Sequence, residues 1–388
     1  MLNRLADRTG GISPFYVMAL LRRAKELEAQ GRDVIHMEIG EPDFPTPPTI
    51  IEAGIKNLRT GLIKYTPAAG LPELREKIAE YYWQCYRVKI AAERIFVTPG
   101  ASGAFLLAFG VSLNPNEEII MADPCYPCNR NFVALFDAKV KTIPVDASSN
   151  YQLTAKMINR NWSDACRGVL VASPANPSGT LMDDAALMSI IREVNAVGGC
   201  FYSDEIYHGL IYDCEAATAL QFSDDVWVIN SFSKYFGMTG WRVGWLIVPD
   251  PYVDAVEKLA QNIFIATSTH SQYAAMAAFE EETRVELEQR RSIFRERRDF
   301  LYRQLTQLGF TIPIKPQGAF YIYADCSQFT SDSFQFAQDL LEAEAVAVTP
   351  GKDFGSYRAQ HYLRFAYTAS IERMAEAVSR LEKFIQHR

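Results

Sequence analysis

A chain of 388 residues, 48% hydrophobic and 22% charged, has the balance of a soluble protein with a sizeable core, and its length allows two domains. A net charge of −7 with no basic block excludes an evident nucleic-acid surface, no apolar run is long enough to span a bilayer, and Met1–Arg8 lacks the apolar stretch of a signal peptide. Seven cysteines without framework spacing fit a reducing cytoplasm, and five dispersed histidines predict no metal site, the Cys125–Cys128 CxxC having no second pair beside it.

The first predicted element is an amphipathic helix over 14–30, with Ser13 as cap, Pro14 at its start and Gly31 as its stop. A short strand over 34–39 leads into 40–48, too rich in prolines and acids for helix or central strand, hence an ordered loop between domains. Gly40 in this loop either offers its N–H to a ligand or simply turns the chain. Helices follow over 49–58 and, opened by Pro72 and Glu73, over 72–86. Strand 94–98, the turn 99–103 and a helix over 104–112 form an arrangement whose free N–H groups suit a phosphate, although the P-loop signature is absent. Strand 118–122 ends near Tyr126, which Pro124 and Pro127 hold stiffly enough to stack on a flat ring. Strands 139–144, 168–172, 199–202 and 226–229 continue the alternation with helices, which predicts a mostly parallel sheet with right-handed crossovers. Beyond 251 the pattern turns helical, with a long charged helix over 280–307 and strands at 311–316, 319–324, 345–348 and 362–367. These predict a smaller α+β unit that the N-terminal helix joins.

Polar clusters follow the strands at 173–179, 203–207 and 231–244, where parallel α/β sheets bind ligands. Lys234 lies among apolar and aromatic residues, which favours a neutral, nucleophilic amine. Ser231, Ser233 and Arg242 are the groups one would gather around a phosphate. Together they suggest a lysine Schiff base to an aldehyde that carries a phosphate, namely pyridoxal phosphate; taken alone, the cluster is more often a surface loop with a solvated lysine. Arg364 sits in an apolar strand and needs an anion, either a ligand or a structural salt bridge.

With these residues laid out, the chain resembles the class I and II pyridoxal-phosphate-dependent aminotransferases, in the bacterial aspartate aminotransferase-like branch of fold type I. The resemblance runs from about 13 to 384. It rests on Gly-Glu-Pro-Asp-Phe (40–44), Tyr-Thr-Pro-Ala-Ala-Gly (65–70), Asn-Pro-Ser-Gly (176–179), Ser-Asp-Glu-Ile-Tyr (203–207), Ser-Phe-Ser-Lys (231–234), Gly-Trp-Arg-Val-Gly (240–244) and Leu-Arg-Phe-Ala-Tyr (363–367), all in family order. It implies an α/β fold, with a large cofactor-binding domain over 48–280, its mostly parallel central sheet flanked by helices, and a smaller α+β domain from 1–47 and 281–388. Lys234 would carry the pyridoxal 5′-phosphate and act as general base. Ala101, Ser102, Gly103, Ser231, Ser233 and Arg242 would cup the phosphate, while Asp204 faces the ring nitrogen. Asn176 and Tyr207 would bond the phenolic oxygen and Tyr126 would stack on the ring. Arg364, Asn176 and Gly40 would hold the α-carboxylate. Tyr65 would reach the phosphate of a neighbouring subunit, implying a cytoplasmic homodimer with shared sites, acting on amino acids and 2-oxo acids by ping-pong kinetics. Acidic-substrate members often add a basic residue where Ser102 stands, and the segment around Phe15 is apolar; both tilt the donor toward neutral or hydrophobic amino acids and away from aspartate. A carbon–sulfur lyase and a non-catalytic regulatory module are the alternatives, the latter disfavoured because about fifteen residues before the fold leave no room for a DNA-binding head.

Overall fold

A computed structural model describes residues 6–12 and 15–387, so the expected cap Ser13 and opening proline Pro14 lie outside the described residues. The first α-helix runs Tyr16–Ala29 and ends before Gly31, whose φ of 85° a glycine adopts without strain. The strands in chain order are β1 (Ile35–His36), β2 (Ile95–Thr98), β3 (Glu118–Asp123), β4 (Lys139–Pro144), β5 (Cys166–Ala172), β6 (Cys200–Asp204), β7 (Val226–Ser231), β8 (Gly244–Ile247), β9 (Tyr321–Asp325), β10 (Val346–Ala347), β11 (Thr349–Pro350) and β12 (Tyr362–Ala366).

Strands β2 to β8 form one seven-stranded sheet in the order β2-β8-β7-β6-β5-β3-β4. Val169, Val171, Phe201 and Val228 pack into one core and the intervening Leu170, Tyr202, Trp227 and Ile229 into another. Successive side chains thus enter opposite apolar layers, which is why these strands read as unbroken hydrophobic runs. The parallel order has one exception, because β8 pairs antiparallel with both β2 and β7. Its four residues follow β7 through the loop 232–243 without a crossover helix, as an antiparallel return allows.

A second assembly contains the antiparallel sheet β11-β12-β9 and the parallel pair β1-β10, which joins Ile35 to Val346 and His36 to Ala347. Leu20, Ala24 and Leu27 of the first helix share a core with Phe336, Leu340 and Leu381. The expected strand over 34–39 shrinks to two residues because the backbone beyond it serves side chains: Glu38 O accepts Arg364 Nη2 and Gly40 O accepts Lys234 Nζ. The expected strand over 311–316 contributes one bridge, Thr311 to Asp325, since Pro313 and Pro316 have no N–H for a ladder. The helix expected from 104 starts at Gly100, so Ala101, Ser102 and Gly103 form its first turn.

The long helix Glu281–Leu308 holds the 40–48 loop in place. Arg297 donates to both carboxylate oxygens of Asp43 at 2.7 and 2.9 Å, and Arg290 Nη1 donates to Pro45 O at 2.6 Å. The ring of Phe44 lies 5.0 to 5.2 Å from both guanidinium carbons, so cation–π contact reinforces the grip. Among the described residues, no helix is long and apolar enough to cross a membrane.

Candidate functional site

Thr98, Asp123, Ala172, Asp204 and Ser231 end β2, β3, β5, β6 and β7 at the same edge of the sheet. A cavity of about 390 Å³ opens there, the size of a small organic ligand. Gly40, Phe15, Ala101, Ser102, Tyr126, Asn176, Asp204, Tyr207, Ser233, Lys234, Arg242 and Arg364 all line it. Residues far apart in sequence converge because each follows the carboxyl end of a parallel strand or comes from the second assembly above that edge.

Lys234 lies on the loop after β7, its Nζ 2.5 Å from Gly40 O. Burial, then the nearby Arg364 and Arg242, bring its amine down to about 8, opposed by Glu41 and Asp204. A substantial share is therefore neutral near pH 8, as a nucleophile or base requires. Asp204, 5% exposed, accepts a 3.2 Å bond from Ile206 N–H. Burial pushes its carboxyl up to about 7, and no cation among the described residues pairs with it. A carboxylate so placed is suited to a protonated nitrogen of a ligand.

Arg364 is 4% exposed and donates through Nη1 to Asn176 Oδ1 at 2.9 Å and through Nη2 to Glu38 O at 2.6 Å. Its guanidinium lies over Tyr321 at 4.2 Å and Phe354 at 4.8 Å. Its Nε is buried without a partner, and among the described residues no carboxylate forms an ion pair with it. A structural salt bridge, left open by the sequence, is therefore not what Arg364 serves. Because Asn176 Oδ1 takes Arg364, its amide NH₂ faces outward as a donor. Tyr207 OH meets Tyr321 OH at 2.9 Å.

Three expected residues stand off the cavity wall. Ser231 lies behind it, its Oγ donating to Ser233 Oγ at 2.9 Å, so it orients Ser233. Gly103 faces β2, where an added Cβ would come 2.7 Å from Pro99 Cδ. Tyr65 is 82% exposed. Ser102 and Arg242 are also exposed, so the cavity is open to solvent beside them. Gly100 packs against the Arg242 guanidinium, where a Cβ would fall 2.6 Å from Nη2. The sequence reading missed Tyr321, which supports both Arg364 and Tyr207; a tyrosine in an alternating strand carries no signal that separates it from core packing.

The family model for aminotransferase class I and II matches residues 32–381. A (5-formylfuran-3-yl)methyl phosphate transaminase of Methanocaldococcus jannaschii is 36% identical over 384 residues, 98% of this chain and 99% of its own length. A valine–pyruvate aminotransferase of Mycobacterium tuberculosis is 36% identical over 387 residues, 99% of each chain. Among solved structures, an aminotransferase from Mycobacterium tuberculosis superposes with a TM-score of 0.95 at 36% identity, covering all of both chains.

Proposed function

The chain belongs to the class I and II aminotransferases, enzymes that use pyridoxal 5′-phosphate, and from that premise we propose that its amino donor is a neutral or hydrophobic L-amino acid and its acceptor a 2-oxo acid. The observation that carries this reading is the cavity's supply of cations. Lys234, Arg242 and Arg364 are the only ones among its described lining residues, and the cofactor's aldehyde, its phosphate and the substrate's α-carboxylate would engage all three. A second carboxylate finds Phe15, Val17, Met18 and Leu21 instead, an apolar wall that favours apolar side chains.

The unpaired Asp204, the open donor of Asn176 and the free first turn at Gly100 fit the cofactor's ring nitrogen, phenolic oxygen and phosphate. When bound, pyridoxal phosphate supplies an aldehyde and an electron-poor ring that accepts charge from the substrate's α-carbon. Asp204 would keep the ring nitrogen protonated, Tyr207 and Asn176 would donate to the phenolic oxygen, and Tyr126 would pack against the ring. Ser102, Ser233, Arg242 and the amides of the first turn would hold the phosphate, with Ser231 and Gly103 behind them. Arg364 takes the α-carboxylate as a fork, aided by Asn176 and the Gly40 N–H, and so aims the Cα–H bond. Lys234 would anchor the cofactor through Nζ and, with that amine free and neutral, take the Cα proton. The two substrates share one pocket and enter in turn, which is ping-pong kinetics.

The division into 48–280 and 1–47 with 281–388 is supported by one core drawn mostly from 20–37 and 294–381, which Tyr207, Leu210 and Tyr212 also join, and a homodimer by the exposed Leu62, Ile63 and Tyr65. A cytoplasmic setting agrees with the free cysteines. The donor is tested by mixing cofactor-loaded protein with each amino acid and following the cofactor's visible band. Methionine, valine, alanine or an aromatic amino acid should bleach it fastest; fastest loss with aspartate or glutamate overturns the donor reading.

A further inference from the structure

One buried carboxylate beside the cavity has no part in the chemistry above. Asp353, 3% exposed, ends the turn Gly351–Asp353 between β11 and β12. Its Oδ1 accepts the N–H of Tyr16 and its Oδ2 the N–H of Val17, each at 2.7 Å. These are the first two amides of the helix Tyr16–Ala29, donors that no helix satisfies internally, and the carboxylate also meets the positive end of the dipole. Two bonds to one rigid carboxylate fix the rotation of the helix as well as its position. Val17, Met18 and Leu21 on that helix, with Phe15 just before it, form the apolar wall of the cavity.

Asp353 is tied to the rest of the site as well. Its carbonyl accepts Arg130 Nη2 at 3.2 Å from the helix Pro127–Ala134, which begins directly after Tyr126. The ring of Phe15 meets Tyr126 edge-on with centroids 6.4 Å apart. The next residue along, Phe354, lies under Arg364, and its carbonyl accepts the N–H of Cys125 at 2.9 Å. The apolar wall, the stacking ring and the carboxylate-binding arginine therefore all refer their positions to this one turn. Burial pushes the Asp353 carboxyl up to about 6 against the pull of the two amides, Arg364 and Arg130, so it is still ionised at neutral pH.

We propose that Asp353 is a specificity-positioning residue: by gripping the Tyr16 and Val17 amides it sets the distance between the apolar wall and Arg364, and so selects the length of donor side chain that fits. The proposal rests on the reading of the donor as neutral or apolar. Asp353→Asn keeps one acceptor but turns an NH₂ donor toward a second donor, and Asp353→Ala removes both acceptors. In cofactor-loaded protein, the ratio of kcat/KM for methionine to that for alanine, whose methyl is too short to use the wall, should fall about tenfold in either variant. The change should lie mainly in KM, and hydrogen exchange at the amides of residues 16 and 17 should quicken. An unchanged ratio, or an equal loss for both donors, overturns the proposal by leaving Asp353 a purely structural role; if the alanine variant fails to fold, the asparagine variant decides. Wild-type protein that converts aspartate faster than either donor sinks the donor reading alone, because the methionine-to-alanine ratio still decides Asp353.

Discussion

Asp204 joins function to a stability cost that can be measured. Its carboxyl rises from 3.8 to about 7 on burial, so the folded, cofactor-free protein binds more protons than the unfolded chain between those values. Stability must therefore fall as pH rises through that window, by on the order of 4 kcal/mol when the group is fully ionised. Asp204→Asn, which keeps an acceptor for Ile206 N–H, should raise the Tm of cofactor-free protein at pH 8 and leave it unchanged near pH 4. The same variant should lose most of its transamination rate, since no charge then holds the ring nitrogen protonated. A lower Tm at pH 8 would contradict the assignment of Asp204 as a carboxylate kept costly for its ligand. Lys234 and Arg364 drew notice in the sequence because an ionisable residue in apolar surroundings is expensive without a purpose, but each kept a bland alternative until the resemblance was drawn, and Asp204 took its role from the resemblance alone. Asp353 and Tyr321 were not legible, because their partners, two backbone amides in one case and a tyrosine hydroxyl in the other, leave no trace in residue type.

Among the elements, β8 is where the sequence said least, although its packing leaves no room for a side chain at Gly244. Four residues, Gly244–Ile247, are too short a run to declare a strand, and the alternation of strands and helices predicted a mostly parallel sheet without saying which neighbour would run the other way. The reversed strand brings Gly244 against the first turn of the helix Gly100–Ser112. A Cβ on Gly244 would stand 2.8 Å from Asn230 O and from the carbonyl carbon of Gly100, and 3.0 Å from Ala101 N. All three are backbone atoms, so no side chain can move aside. Gly244→Ala should cost roughly 1–3 kcal/mol of stability, read as a lower denaturant midpoint, and should weaken phosphate holding by prying the turn from β8. A variant with wild-type stability and cofactor affinity would mean that strand and turn have room to separate. The helices Pro72–Tyr86 and Glu281–Leu308 were legible almost to the residue, since proline at one start and Gly309 at one end mark them. Of the two-residue strands, β1 and β10 fall inside the strands expected over 34–39 and 345–348, whereas β11 was not foreseen, because nothing local distinguishes so short a pairing from loop.

At the scale of the whole molecule, Ser102 and Arg242 of the cavity are exposed, and so are Leu62, Ile63 and Tyr65, side chains of the kind an oligomer covers. Cofactor-loaded protein should therefore sediment as a dimer, and Tyr65→Phe should weaken cofactor affinity about tenfold without altering the sedimentation coefficient. A fully active monomer would be incompatible with shared sites. The two-part organisation was legible because the sequence changes from strand-helix alternation to a helical pattern near 251, whereas the dimer left only the family's precedent for Tyr65. Because Ile35–His36 pairs with Val346–Ala347, the first strand waits for roughly three hundred residues of synthesis before its partner exists. The seven-stranded sheet has its last strand by Ile247 and can fold while the ribosome is still at work. Arg364, Asp353 and a settled first helix come only with the finished polypeptide. A nascent chain can thus display Lys234 without the means to orient an amino acid, so that translation itself delays the enzyme's competence until the two distant segments have met.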